Sequence, residues 1–359
     1  MSTIDELHEL GTSTWLDDLS RERITSGNLA ELIEKKSIVG VTTNPAIFAK
    51  AMTAGTAYDE QINELKAAGT AVEDAVYAMS IDDVRDACDI FAEEFSRSGG
   101  EDGRVSIEVD PRISADREAT LIQARELWSK VDRPNVMIKI PATDESLPAI
   151  SDALAEGISV NVTLIFSVGR YLEVIAAYRE GIQRAADTGK DVSKIFSVAS
   201  FFVSRMDTEV DKRLEEIGTD EALTLRGKAG IANARLAYTE FLRGFGKDSL
   251  PEGANVQRPL WASTGVKNPE YPQTMYVTEL AGPQTVNTMP ENTLDAVLAD
   301  GGLHGDTLSE SADDAHEVFA ALREAGVDLD DVVSVLETEG VEKFVTAWSD
   351  LLESMGSRL

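Results

Sequence analysis

The chain has 359 residues, 43% of them hydrophobic, which is ample material for a large core. Its 64 acidic against 33 basic residues leave a net charge of −31, and such a surface repels nucleic acid and anionic membranes. A single cysteine excludes an intramolecular disulfide, and the absence of a long apolar run or a leader-like start argues against membrane or secretory routes, leaving a cytoplasmic location as the expectation.

Strand and helix signals alternate along the chain. Strands are expected at Thr14–Asp18, Val39–Pro45, Arg104–Asp110, Val136–Pro141, Ser159–Phe166, Ile195–Phe202, Pro259–Thr264 and Thr285–Pro290. Met275–Leu280 is a second candidate for the last of these. Apolar stripes at helical spacing lie between them: Ile81/Val84/Cys88/Phe91/Phe95, Leu121/Ala124/Trp128, Val168/Leu172/Ile175/Ile182 and Ile231/Leu236/Phe241/Phe245. Cys88 on the first stripe reads as a small buried hydrophobe. Extra helices are expected before residue 100 and after residue 310. The tail repeats Val332, Val333, Leu336, Val341, Phe344, Val345, Trp348, Leu351 and Leu352 at near-helical spacing, so residues 305–359 are expected to form a helical extension packed on the barrel exterior or over its mouth.

Eight strands with helical crossovers predict an α/β chain folded as a (β/α)8 TIM barrel, with a doubly wound open sheet as the alternative. No linker-like segment interrupts residues 1–359, so one domain is expected. No zinc motif, P-loop or dinucleotide fingerprint is present, and His8, His304 and His316 lack metal-ligand spacing, so neither metal nor organic cofactor is expected.

Lys139 stands out against this frame. It interrupts Val136-Met137-Ile138-Lys139-Ile140-Pro141, which otherwise reads as a buried strand. Burial disfavours an ammonium, and a neutral amine is a nucleophile towards carbonyls. Alternation places Lys139 and Met137 on the inward face of its strand. Ser106, Glu108 and Asp110 share one face of the third strand, Asn161 and Thr163 point inward from the fifth, and Val160, Val162 and Leu164 point outward. Thr42 and Asn44 share a face of the second strand, Asp17 shares one with Trp15, and Ser200 lies late in the sixth. These groups sit in the C-terminal halves of their strands, where barrel enzymes build active sites. The bland alternative is a satisfied polar core in which Lys139 is ion-paired to Glu108 or Asp17.

Several segments carry a resemblance. Gly40-Val41-Thr42-Thr43-Asn44-Pro45-Ala46-Ile47-Phe48 resembles the first transaldolase signature. Val136-Met137-Ile138-Lys139-Ile140-Pro141-Ala142-Thr143 resembles the second, although Ser146 stands where that pattern usually has Gly. Ile107-Glu108-Val109-Asp110, Val160 to Ser167 and Phe202-Val203-Ser204-Arg205 extend the match, and the start Trp15 to Arg21 looks like the longer bacterial subgroup.

The resemblance implies a transferase that moves a dihydroxyacetone unit between sugar phosphates in the pentose phosphate pathway. It would convert sedoheptulose 7-phosphate and glyceraldehyde 3-phosphate to erythrose 4-phosphate and fructose 6-phosphate. It further implies that Lys139 forms the Schiff base and Asp17 accepts the C4 hydroxyl proton, with adjacent Asp18 as the alternative. Glu108 and Thr163 would hold a proton-shuttling water. Thr42, Asn44, Asn161 and Ser200 would bind the substrate, and Arg205 and Lys267 its phosphate. Many transaldolases have Arg in a shorter version of the Lys267 loop. A Schiff-base aldolase releasing free dihydroxyacetone and a non-catalytic sugar-phosphate sensor are the competing readings. A homodimer through the tail helices is open at this stage.

Overall fold

The computed structural model describes residues 2–359. Eight parallel strands close into a barrel in chain order: β1 (Thr12–Leu16), β2 (Gly40–Val41), β3 (Arg104–Glu108), β4 (Val136–Pro141), β5 (Val160–Ile165), β6 (Ser197–Phe202), β7 (Gln257–Ala262) and β8 (Thr285–Met289). Closure of β8 on β1 excludes the open sheet and leaves no free edge. Helices fill the crossovers, and additional ones precede residue 100 and follow residue 310. Met275–Thr278 is helical rather than extended. Among the described residues, no helix is long and apolar enough to cross a membrane.

The strand boundaries differ from the pattern where local chemistry ends the ladder. β2 stops at Val41 because Asn44 caps the helix Pro45–Thr53, its side chain accepting from the Ile47 amide, with Pro at the first turn. β3 stops at Glu108 because Asp110 caps a short 3-10 turn that starts at Pro111. Asp110 therefore does not enter the barrel; its carboxylate accepts from Arg112 at 2.6 Å. In β5 the register with β6 shifts between Val162 and Ile165, and Leu164 takes a left-handed φ of 60°. This irregularity turns Leu164, expected to face the helices, into the cluster that contains Phe166 and Phe344, while Ile165 joins the outer core. On the helix Val168–Asp187, Leu172 is 45% exposed, and Tyr171, Val174, Ile175, Tyr178 and Ile182 carry the buried face.

The interior is layered. At the N-terminal end, Arg258 donates to Ser13 and Asp102, and Asp102 also accepts from Ser13 and from the indole of Trp15. Beside them Arg104 is fully buried, with its guanidinium 4.2 Å from the Phe196 ring. Above this plug sits an apolar layer of Trp15, Met137, Val198, Leu260 and Val286. The two lower layers therefore shut one end of the barrel, so the polar residues above them open only towards the C-terminal ends of the strands.

The tail does both things its pattern allows. The helix Ala312–Glu324 packs outside, with Ala315 and Phe319 against Ala232 and Leu236. The C-terminal helix Leu329–Gly356 instead crosses the mouth, touching β5 and the segments that follow β2, β3 and β6.

Gly40 makes the barrel wall fit its filling. A Cβ at this position would lie 2.7 Å from the Trp15 indole, which is pinned through its N–H to Asp102 at 3.0 Å. Gly40→Ala should therefore destabilise the fold by about 1–3 kcal/mol, read as a lower urea midpoint with an unchanged slope.

Candidate active site

The register of neighbouring strands assembles the site. Glu108 pairs with Lys139 across β3 and β4, and Lys139 with Asn161 across β4 and β5, so three inward polar residues fall at one height. Above them opens a cavity of about 200 Å³. Asp17, Thr42, Asn44, Lys139, Ser200, Arg205 and Lys267 all line it. Seven of the ten residues expected from the sequence thus meet on one surface, drawn from five strands and the loops after them.

Lys139 is 5% exposed, and its Nζ donates to the Thr43 carbonyl at 3.0 Å. The nearest carboxylate oxygen, Glu108 Oε2, is 3.6 Å away, inside ion-pair range and beyond a good hydrogen bond. The shorter contact is thus to main chain, and the ion pair to Glu108 is the looser one. Thr43 is itself tied down, its hydroxyl donating to the Ser106 carbonyl at 2.7 Å.

Burial acts on both carboxylates. It pushes Glu108 up to about 7 against the opposing charge of Lys139, with Asp17 adding to the rise. It also raises Asp17, opposed by Lys139 and by the hydroxyl of Thr42, which donates to Asp17 at 2.8 Å. A carboxyl lifted as far as that of Glu108 can exchange protons near neutral pH. Asp18 turns away from the cavity to Arg23, with Nη2 at 2.6 Å.

The remaining three residues sit beneath the cavity surface. Glu108 is 6% exposed, and among the described residues neither of its oxygens has a hydrogen-bond partner, a state shared by the Thr163 hydroxyl. Buried acceptors of this kind suit an ordered water. Asn161 is committed on both sides: it donates to Ser106 at 3.1 Å and accepts from Ser200 at 2.7 Å. Its amide fixes Ser200 rather than lining the cavity.

Arg205 lies at the rim, its guanidinium 5.0 Å from the Phe202 ring, and its buried Nη1 has no hydrogen-bond partner among the described residues. A cation with an unused donor facing a cavity suits an anionic group. Lys267 reaches the same cavity from the loop after β7.

Sequence reasoning missed several lining residues. Thr288 lies within 2.5 Å of the Thr42 hydroxyl, and Thr264 donates to the Thr288 carbonyl at 2.7 Å. Inward alternation along β8 is the signal that points to Thr288. Phe202 and Phe344 complete the wall, and Phe344, which comes from the C-terminal helix, carries no local signal beyond its place in an apolar stripe. A larger cleft of about 410 Å³ lies on the other side of Asp18, but Asp18 and Arg23 on its wall are already paired and none of the inward strand residues reaches it.

Glu108 gives a pH signature for stability. Its folded value is raised above the ordinary 4.5, so between that value and about 7 the folded chain keeps a proton the unfolded chain has lost. Stability conferred by that proton falls as pH rises through this window. Glu108→Gln should match the parent at pH 4 and exceed it at pH 8, by at most on the order of 3 kcal/mol in urea titrations.

Comparison with known proteins matches this architecture. The family model described as Transaldolase/Fructose-6-phosphate aldolase matches residues 14–355. The protein named Transaldolase from Mycolicibacterium smegmatis is 59% identical over 357 residues, covering 98% of this chain and 96% of that protein. Proteins of the same name from Mycolicibacterium paratuberculosis and Mycobacterium tuberculosis are each 58% identical, over 358 and 359 residues, with the same coverage. The chain belongs to the transaldolase/fructose-6-phosphate aldolase family, and its function is that of a transaldolase, a transferase.

Proposed function

We propose that the transfer runs through a Schiff base on Lys139, with ketose and aldose phosphates as substrates. The observation that carries this reading is an amine facing the cavity, bonded to a main-chain carbonyl and flanked by two carboxyls that burial has raised. In the first step Nζ attacks the C2 carbonyl of sedoheptulose 7-phosphate or fructose 6-phosphate. The carbinolamine then loses water to give an imine. Glu108 and Thr163 carry that proton traffic through a water, consistent with their unpartnered oxygens.

The protonated imine is an electron sink. Asp17 takes the C4 hydroxyl proton, the C3–C4 bond breaks, and its electron pair moves into an enamine on Lys139. The aldose phosphate leaves with a new carbonyl at the former C4. A second aldose phosphate enters, C3 attacks its carbonyl carbon, and Asp17 returns the proton to the new hydroxyl oxygen. Hydrolysis of the imine releases the new ketose phosphate and the amine. One full cycle turns sedoheptulose 7-phosphate and glyceraldehyde 3-phosphate into erythrose 4-phosphate and fructose 6-phosphate.

Thr42 orients Asp17, while Asn44 and Ser200 line the part of the cavity that the three-carbon unit would occupy. Arg205 and Lys267 bind the phosphate, which accounts for a guanidinium with a spare, buried Nη1 donor in a strongly acidic protein. Because the C-terminal helix supplies Phe344 to the same cavity, the barrel and its tail work as one unit. The freely diffusing sugar phosphates used here suit a cytoplasmic enzyme.

Borohydride reduction in the presence of fructose 6-phosphate, followed by peptide mass mapping, should yield a stable three-carbon or six-carbon adduct on Lys139. Lys139→Ala should give no adduct and no turnover above background. Asp17→Asn should retain the adduct while transfer falls by about 10²–10⁴-fold. An adduct on another lysine, or full activity in Lys139→Ala, contradicts the scheme.

A further inference from the structure

The C-terminal helix brings one apolar side chain to the reacting amine. Phe344 is 7% exposed and lines the cavity, and the centre of its ring lies 5.6 Å from Lys139 Nζ. The helix that carries it is seated closely on both sides. Gly340, one turn earlier, leaves so little room that a Cβ there would fall 2.8 Å from the Phe166 ring. Trp348, one turn later, packs against Tyr77 with ring centres 5.0 Å apart and planes tilted by 45°, and the Tyr77 hydroxyl donates to the Glu108 carbonyl at 3.4 Å. Residues 340, 344 and 348 lie on one helix face, so these two contacts fix the height of the ring above the amine. No proton-transfer step of the proposed cycle uses Phe344.

We propose that Phe344 decides the fate of the enamine, acting as an apolar screen that keeps protonation from C3 until an acceptor aldehyde phosphate arrives. The inference rests on the Schiff-base reading and adds a residue that favours transfer over release. The enamine has two exits. In one, C3 attacks the carbonyl carbon of the acceptor, a C–C bond forms, and the carbonyl oxygen takes a proton. In the other, C3 takes a proton supplied from water, water adds to the resulting imine, and the C–N bond breaks to give free dihydroxyacetone and the Lys139 amine. Only the second exit needs a water-borne proton at C3 while the acceptor is absent. A ring face over the nitrogen excludes that water and also favours the positive charge of the imine.

The test compares Phe344→Leu, Phe344→Asn and Phe344→Ala. Each protein is given fructose 6-phosphate with and without erythrose 4-phosphate, and free dihydroxyacetone is measured against sedoheptulose 7-phosphate formed. Borohydride trapping in every variant reports whether the first half of the chemistry survives. Leu and Asn are close in size and differ in polarity, so their comparison stands even if the Ala variant fails to fold. The adduct on Lys139 should still form, and the ratio of release to transfer should rise about tenfold or more in Phe344→Asn and stay near the parent in Phe344→Leu. An unchanged ratio in Phe344→Asn with the adduct present overturns the proposal. An equal rise in Leu and Asn also overturns it, because that would follow from lost packing. Absence of any adduct in the unaltered enzyme would instead remove the Schiff base itself, a failure distinct from either of these.

Discussion

The contact between the Lys139 amine and the Thr43 carbonyl organises this molecule. A lysine inside a barrel could pair with a carboxylate, and that pairing would hold the nitrogen lone pair out of reach. Here a main-chain oxygen accepts the short bond at 3.0 Å, and the ion pair to Glu108 is looser, at 3.6 Å. The carbonyl is available because the second strand stops after Gly40–Val41, which frees Thr43 from the ladder. That stop follows from Asn44 and Pro45, which start a helix immediately afterwards. A capping residue and a proline thus set the position of the amine on a strand two places away.

Charge is arranged in two shells. Outside, a net charge of −31 favours solubility and disfavours anionic partners at long range. Inside, the cavity holds the opposite bias at its rim, where Arg205 and Lys267 face in and Arg205 keeps an unpartnered Nη1. In the proposed phosphate site, two local cations offset that repulsive field. Beneath them, burial raises both Asp17 and Glu108, the latter to about 7. The plug of Arg258, Asp102 and Trp15 shuts the far end, leaving the mouth and its covering helix as the entrance.

Much of this was legible in the residues themselves. Strict alternation along short apolar runs located the strands to within a few positions, and a charged residue in one such run singled out Lys139. The boundaries slipped where a cap or a proline overrode the alternation, at Asn44 and at Asp110. Leu164 lies on the face opposite to the one alternation gives, because its own φ of 60° breaks the pattern, and leucine gives no warning of a left-handed backbone. Asn161 was correctly placed inside, but its hydrogen bonds to Ser106 and Ser200 depend on cross-strand register, which one strand cannot reveal. The tail was harder still. Its apolar stripe predicted a packed helix and could not say which surface the helix would cover, so Phe344 became visible as a cavity residue only in three dimensions.

The most direct test of the account is a crystal structure of the enzyme flash-cooled during turnover of fructose 6-phosphate. The account predicts continuous density from Lys139 Nζ to C2 of a sugar-derived group, with its carbons between Asn44 and Ser200 and the Phe344 ring above them. A ligand resting in the cavity with the amine unmodified, or a covalent bond on any other side chain, would contradict it.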